Sequence, residues 1–212
     1  MHNAAAATND PLRSRRCRRF AEYRKGATFL NILFINAAFR EGSRTAKLAC
    51  KVLQEYSEHE VYEIALGSDT SKPLDAGRLI AYNFAVKSRS FTADMFDIPK
   101  RFAAADEIII AAPFWNFSVP AVLHDCIELI CTQGITFDMS PDGEYYTLCR
   151  AKKLTYITTA GGYIPENDHA FGYIRDLCES FWGISDVRYI KAEGLDIYGA
   201  DVERLLDEAY PG

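Results

Sequence analysis

Residues 106–126 read DEIIIAAPFWNFSVPAVLHDC, and this stretch decides the fold. The apolar run at 108–112 is short, rich in isoleucine and stopped by Pro113. That is the pattern of a strand buried on both faces. Phe114, Trp115, Asn116 and Phe117 follow, three aromatics around one amide, and Ser118, Val119 and Pro120 then open a helix. A buried strand that passes through a loop into a helix is half of a βαβ unit, which demands a parallel sheet. Open α/β sheets bind their ligands beyond the carboxyl ends of the strands. An aromatic loop there offers stacking faces for a large flat ring, and Asn116 adds two donors and an acceptor.

The same rhythm runs outward in both directions. Residues 30–35 read as a first buried strand, and 36–43 as the loop after it. A helix over 44–56 carries Ala46, Ala49, Cys50 and Leu53 at helical spacing. A second strand is expected at 61–66, a polar linker at 68–73, and helices at 75–87 and 92–105, the latter kinked or broken by Pro99. The third strand, 107–112, feeds a helix at 120–130 with Pro120 in its first turn. Residues 135–148 resemble an inserted loop or hairpin that turns at Asp142 and Gly143. A fourth strand at 153–158, a helix at 170–181, a fifth strand at 187–192 and a helix at 201–209 complete the chain. Five strands alternating with helices predict a five-stranded parallel sheet in the flavodoxin-like order 2-1-3-4-5, helices on both faces, in one domain over 29–212.

Composition narrows the class. A chain of 212 residues, 49% apolar, can bury a sizeable single core. No apolar run approaches the roughly 20 residues needed to cross a bilayer, so no membrane partner is expected. No apolar segment follows the basic N-terminal residues, so a signal peptide is not expected either. The net charge of −5 is unevenly spread: residues 1–28 hold seven bases against two acids, which leaves the remainder near −10. An acidic body argues against nucleic acid as the main partner, and the basic arm reads as a solvated, disordered extension outside the domain. The six cysteines form no C-x-x-C pair and read as reduced core thiols of a cytoplasmic protein. No H-x-x-x-H, H-E-x-x-H or clustered Cys/His pattern points to a metal.

In this fold the loops after strands 1, 3 and 4 share one edge. The first holds Arg40, Ser43, Arg44 and Thr45 at a helix N-terminus, where free N–H groups, hydroxyls and cations suit a phosphate. It matches neither the P-loop nor the dinucleotide fingerprint. The second is the aromatic loop, Pro113 to Phe117. The third is Thr159, Ala160, Gly161, Gly162 and Tyr163, whose paired glycines permit close backbone approach or a turn with positive φ.

Three segments then carry a resemblance: FINAAFREGSRTAKLA, AAPFWNFSVPAVLHDCIE and KKLTYITTAGGY. In order and spacing they resemble the FMN-contacting segments of the FMN-dependent NADH:quinone oxidoreductase and azoreductase family, over about 31–208. The resemblance implies non-covalent FMN, with Ser43, Arg44 and Thr45 at the phosphate and Pro113, Phe114, Trp115, Asn116 and Phe117 beside the ring and ribityl chain. Thr159 to Tyr163 would meet the ring's polar edge, with Asn116, Gly161 and Gly162 as donors to the reduced flavin. It implies a homodimer, NADH or NADPH as hydride donor to flavin N5, and ping-pong transfer to quinones, azo compounds or similar aromatic acceptors, with no catalytic protein nucleophile. Ala37 and Ala38 stand where the family often has serines, and His124 where it often has lysine; His124 is read as structural or solvated. The alternative is a flavodoxin-type electron carrier without turnover. The helices within 75–105 and the 132–150 insertion favour the enzyme.

Overall fold

The structure is a computed structural model that describes residues 29–67 and 72–211. The basic arm with Cys17, and most of the polar linker, lie outside the described residues. Strand β1 (Asn31–Asn36) is flanked by β2 (Glu60–Ala65) and β3 (Glu107–Ala111). Next to β3 lies β6 (Lys153–Thr159), and beyond it β7 (Asp186–Ala192), every pair parallel. The insertion is a true hairpin of β4 (Phe137–Met139) and β5 (Tyr145–Thr147), with Gly143 in its turn at φ 88°. The main sheet therefore runs β2-β1-β3-β6-β7, which is the expected 2-1-3-4-5 once the hairpin is set aside.

Alternation along each central strand feeds two cores. Leu33, Ile35, Ile108, Ile110, Leu154 and Tyr156 face one side. There they meet α3 (Asp97–Ala104), α4 (Ala121–Ile130) and α5 (Phe171–Leu177) through Phe102, Leu123, Ile127 and Ile174. Ile32, Phe34, Ile109 and Ile157 face the other, against Leu48, Ala49 and Val52 of α1 (Arg44–Leu53) and Leu206 of α6 (Val202–Ala209). Both faces are covered, so the strands are apolar throughout rather than alternating. Helix α2 (Ala76–Ser88) is the exception: Ala85 is its one buried residue.

Three expectations about punctuation change. Pro99 does not kink a long helix. A 3-10 turn (Asp94–Phe96) precedes α3, so Pro99 falls in the first turn, where its missing N–H breaks no intrahelical bond. Pro120 is the N-cap of α4 rather than part of its first turn, with an extended ψ of 146°. The expected helix at 170–181 is α5 followed by a π-helical turn (Cys178–Trp182), closed by Gly183 at φ 60°. Cys50 is exposed on α1, against the expectation of core thiols. Burial pushes the Cys126, Cys131 and Cys178 thiols up to about 12 and Cys149 to about 11, which favours the protonated thiol at all four. No described helix is long and apolar enough to cross a membrane.

The chain leaves β1 toward β2 on one side and later returns to β3 on the other. The loops after β1 and β3 therefore part, and the crevice between them opens at the carboxyl edge.

Candidate functional site

A cleft of about 220 Å³ lies at that crevice. Its first wall is the start of α1. Gly42 takes φ 67° with open space around it, which turns the chain into the helix. Ser43 caps α1, its Oγ accepting from the Ala46 N–H at 3.3 Å and retaining its own proton to donate. The N–H groups of Arg44 and Thr45, at the first helical positions, have no intrahelical acceptor. Thr45 also lines the cleft; it is buried, and its hydroxyl shares a 2.6 Å hydrogen bond with that of Thr159, joining α1 to β6. Ala37 and Ala38 are buried and line the cleft beside Phe39.

The second wall is the aromatic loop. Trp115 and Ser118 exchange backbone hydrogen bonds of 3.0 and 2.9 Å, making Asn116 and Phe117 the tip of a two-residue turn. Both take positive φ, 51° and 63°. Asn tolerates this, whereas a bulky Phe is strained there. Phe114 packs into the core and against Phe117, while Trp115, 42% exposed, faces the cleft edge-on to Phe39 at 6.5 Å. Pro113, Phe114 and Trp115 line the cleft. Asn116 and Phe117 lie outside its lining, because the turn lifts them to the exposed tip. His124 shares a 3.3 Å hydrogen bond with Ser118 and lies against Tyr173, which ties the loop to α4.

The third wall is Thr159, Ala160 and Gly161. Gly162 and the exposed Tyr163 lie beyond the lining. Neither glycine of the pair is among the residues with positive φ. The space beside Gly161 is taken by a side chain instead: a Cβ there would lie 2.8 Å from Asp196 Cγ, and that exposed carboxylate would have to shift.

Two lining residues escape sequence reasoning, Phe39 and Asp196. Asp196 sits in the loop after β7, held by backbone bonds from Asp196 N–H to Gly161 O at 2.9 Å and Leu195 N–H to Ala160 O at 3.2 Å. Its Oδ1 accepts from Arg44 Nη1 at 2.8 Å, and the same nitrogen donates to Leu195 O at 2.9 Å. The Arg44 guanidinium, helped by Arg40, holds the Asp196 carboxyl below its usual range. Cation-rich helix start, aromatic wall and glycine backbone thus converge, as an anionic, partly aromatic ligand requires.

The sequence matches the flavodoxin-like fold family over residues 30–210. An FMN-dependent NADH:quinone oxidoreductase of Clostridium acetobutylicum is 34% identical over 185 residues, covering 82% of this chain and 92% of the relative. The chain belongs to this family. A second member, from Clostridium beijerinckii, is 33% identical over 192 residues, with 84% and 93% of the two chains covered. Among solved structures, an azoreductase from Bacillus anthracis superposes with a TM-score of 0.73 at 22% identity, covering 85% of this chain and 95% of that one. An FMN-dependent NADH-azoreductase from the same species, in complex with FMN, gives 0.73 at 23% identity, with 86% and 95% covered. These two show that the shared architecture is the flavodoxin-like one.

Proposed function

We propose that this family member is an FMN-dependent oxidoreductase that carries reducing equivalents from NADH or NADPH to quinones, azo compounds or similar flat acceptors in two half-reactions at one site. The observation that carries the reading is the convergence, in one cleft, of the α1 N-terminus, the Trp115 wall and the Gly161 backbone. The donor set fits FMN. The Arg44 and Thr45 N–H groups, the Ser43 hydroxyl and the Arg40 and Arg44 side chains would hold the phosphate. Trp115, Phe114 and Phe39 offer apolar and aromatic surface for the ring and its side chain. When bound, FMN supplies the chemistry: it takes hydride from the nicotinamide and returns two electrons to the acceptor. The protein's own work is to fix the phosphate, wall one face of the ring and leave the other open. The backbone of 159–161 would meet the ring's polar edge, with Gly161 admitting that approach.

Asn116, Phe117, Gly162 and Tyr163 are proposed for the rim, where acceptor and nicotinamide arrive. Phe117 takes a strained positive φ at a turn tip, a feature that clusters at binding sites. We also propose a homodimer. Helix α2 presents Leu79, Ile80 and Phe84 to solvent, the last two more than 70% exposed, although its neighbour Tyr82 packs on Phe96. An apolar stripe on a helix so little used by its own core fits a second copy of the chain.

The test is a flavin titration of protein stripped of ligand. Saturable binding of one FMN per chain, with quenching of Trp fluorescence by a ring beside Trp115, is the expected result. A protein that shows no saturable FMN binding would refute the reading.

A further inference from the structure

The phosphate end of the cleft already holds an anion. Asp196 contributes its carboxylate to the cleft lining and pairs with Arg44 at 2.8 Å, within the field of Arg40. These are the two cations the cleft offers a phosphate. The same carboxylate rests on Gly161, as the 2.8 Å approach of Cγ to a Cβ at that position shows. One side chain thus spans the phosphate wall and the glycine wall.

The two halves of Asp196 differ in freedom. Its backbone is fastened to Gly161 and its neighbour to Ala160, so the loop stays in place. Its side chain is 68% exposed, and Arg44 keeps the Leu195 carbonyl as a second acceptor at 2.9 Å. Rotating Asp196 toward water therefore leaves Arg44 held and the loop intact. The room matters as well: at about 220 Å³ the cleft is smaller than the roughly 300–1,000 Å³ of typical ligand pockets.

We infer that Asp196 is an internal stand-in for the ligand phosphate, a side chain that pairs with Arg44 and must swing off it before a phosphorylated flavin seats. The inference rests on the flavin reading above. Asp196 then sets how strongly the protein separates FMN from riboflavin. An FMN phosphate must displace a carboxylate from its cation and meets a like charge nearby. Riboflavin, with no phosphate, leaves the pair undisturbed. The acidic group lowers FMN affinity selectively and keeps the two arginines from capturing other small anions.

The test compares FMN and riboflavin binding to flavin-stripped protein by fluorescence quenching at low salt, with the wild type, Asp196→Asn, Arg44→Ala and the double variant. Asparagine keeps the shape and the backbone bond to Gly161 and removes the charge. Asp196→Asn is expected to tighten FMN about tenfold by relieving like-charge repulsion in a partly screened cleft, and to change riboflavin less than about twofold. Against Arg44→Ala the FMN gain is expected to shrink to about threefold or less, because the contested cation is gone. Unchanged or weaker FMN binding by Asp196→Asn would overturn the inference and make Asp196 a bystander or a ligand contact. An equal gain for both flavins would overturn it in favour of simple crowding. These outcomes differ from failure of the underlying reading, in which neither wild type nor any variant binds FMN and the inference falls with it.

Discussion

Replacing Gly161 with valine is expected to weaken FMN binding at least about 100-fold while the melting temperature stays within about 3 °C of the wild type. The reason is space. Gly161 carries an ordinary φ, so valine meets no left-handed backbone. Its Cβ would lie 2.8 Å from Asp196 Cγ, and its methyl groups would stand in the cleft where the backbone must approach the ring. The displaced Asp196 is exposed, which is why the fold should survive. Pushing Asp196 aside should by itself favour FMN, as the Asp196→Asn comparison measures. A loss in Gly161→Val therefore reports the glycine's own role. FMN held at wild-type affinity would show that 159–162 is only a turn.

The second large effect concerns assembly. Ile80→Asp places a carboxylate in the middle of the apolar stripe of α2. In a monomer it would be harmless, because Ile80 is 72% exposed. In a dimer packed on that stripe it would strand an unpaired charge, a cost of several kcal/mol. The dimer dissociation constant is expected to rise at least about 100-fold, read by light scattering or sedimentation, with the monomer's circular dichroism unchanged. A wild-type protein that is monomeric at high concentration, or a variant that remains a dimer, would remove α2 from the interface.

The fold was legible because its strands are buried on both faces. Ile108, Ile109 and Ile110 announce a parallel strand by composition alone, and the hairpin declared itself through Asp142 and Gly143. Helix starts were less legible where proline was involved. Pro99 is compatible with a kink, a break or a first turn, and the short 3-10 turn before α3 decides among them. At the site, local signals located the three loops, since each is a contiguous stretch after a strand. Their division of labour is tertiary. The turn at Asn116 and Phe117 was hidden because only half of the favoured Asn-Gly pair is present, and a Phe at positive φ is not expected from any propensity. The hydrogen bond of Thr45 was hidden because its partner, Thr159, lies 114 residues away at the end of β6. Asp196 is 152 residues from Arg44, in a loop with no periodic or compositional mark, and only the folded sheet brings the two together.

The central claim is that this cleft relays electrons from a nicotinamide to an aromatic acceptor through FMN. The most direct measurement is the visible spectrum of the FMN-loaded protein under anaerobic conditions, first with NADH and then with a quinone. The account predicts that the flavin band bleaches on NADH and returns on quinone, each in equimolar amount, with steady NADH consumption when both are present. A flavin band that persists in the presence of NADH and NADPH, with FMN bound, would contradict it and leave a flavin-binding protein without turnover.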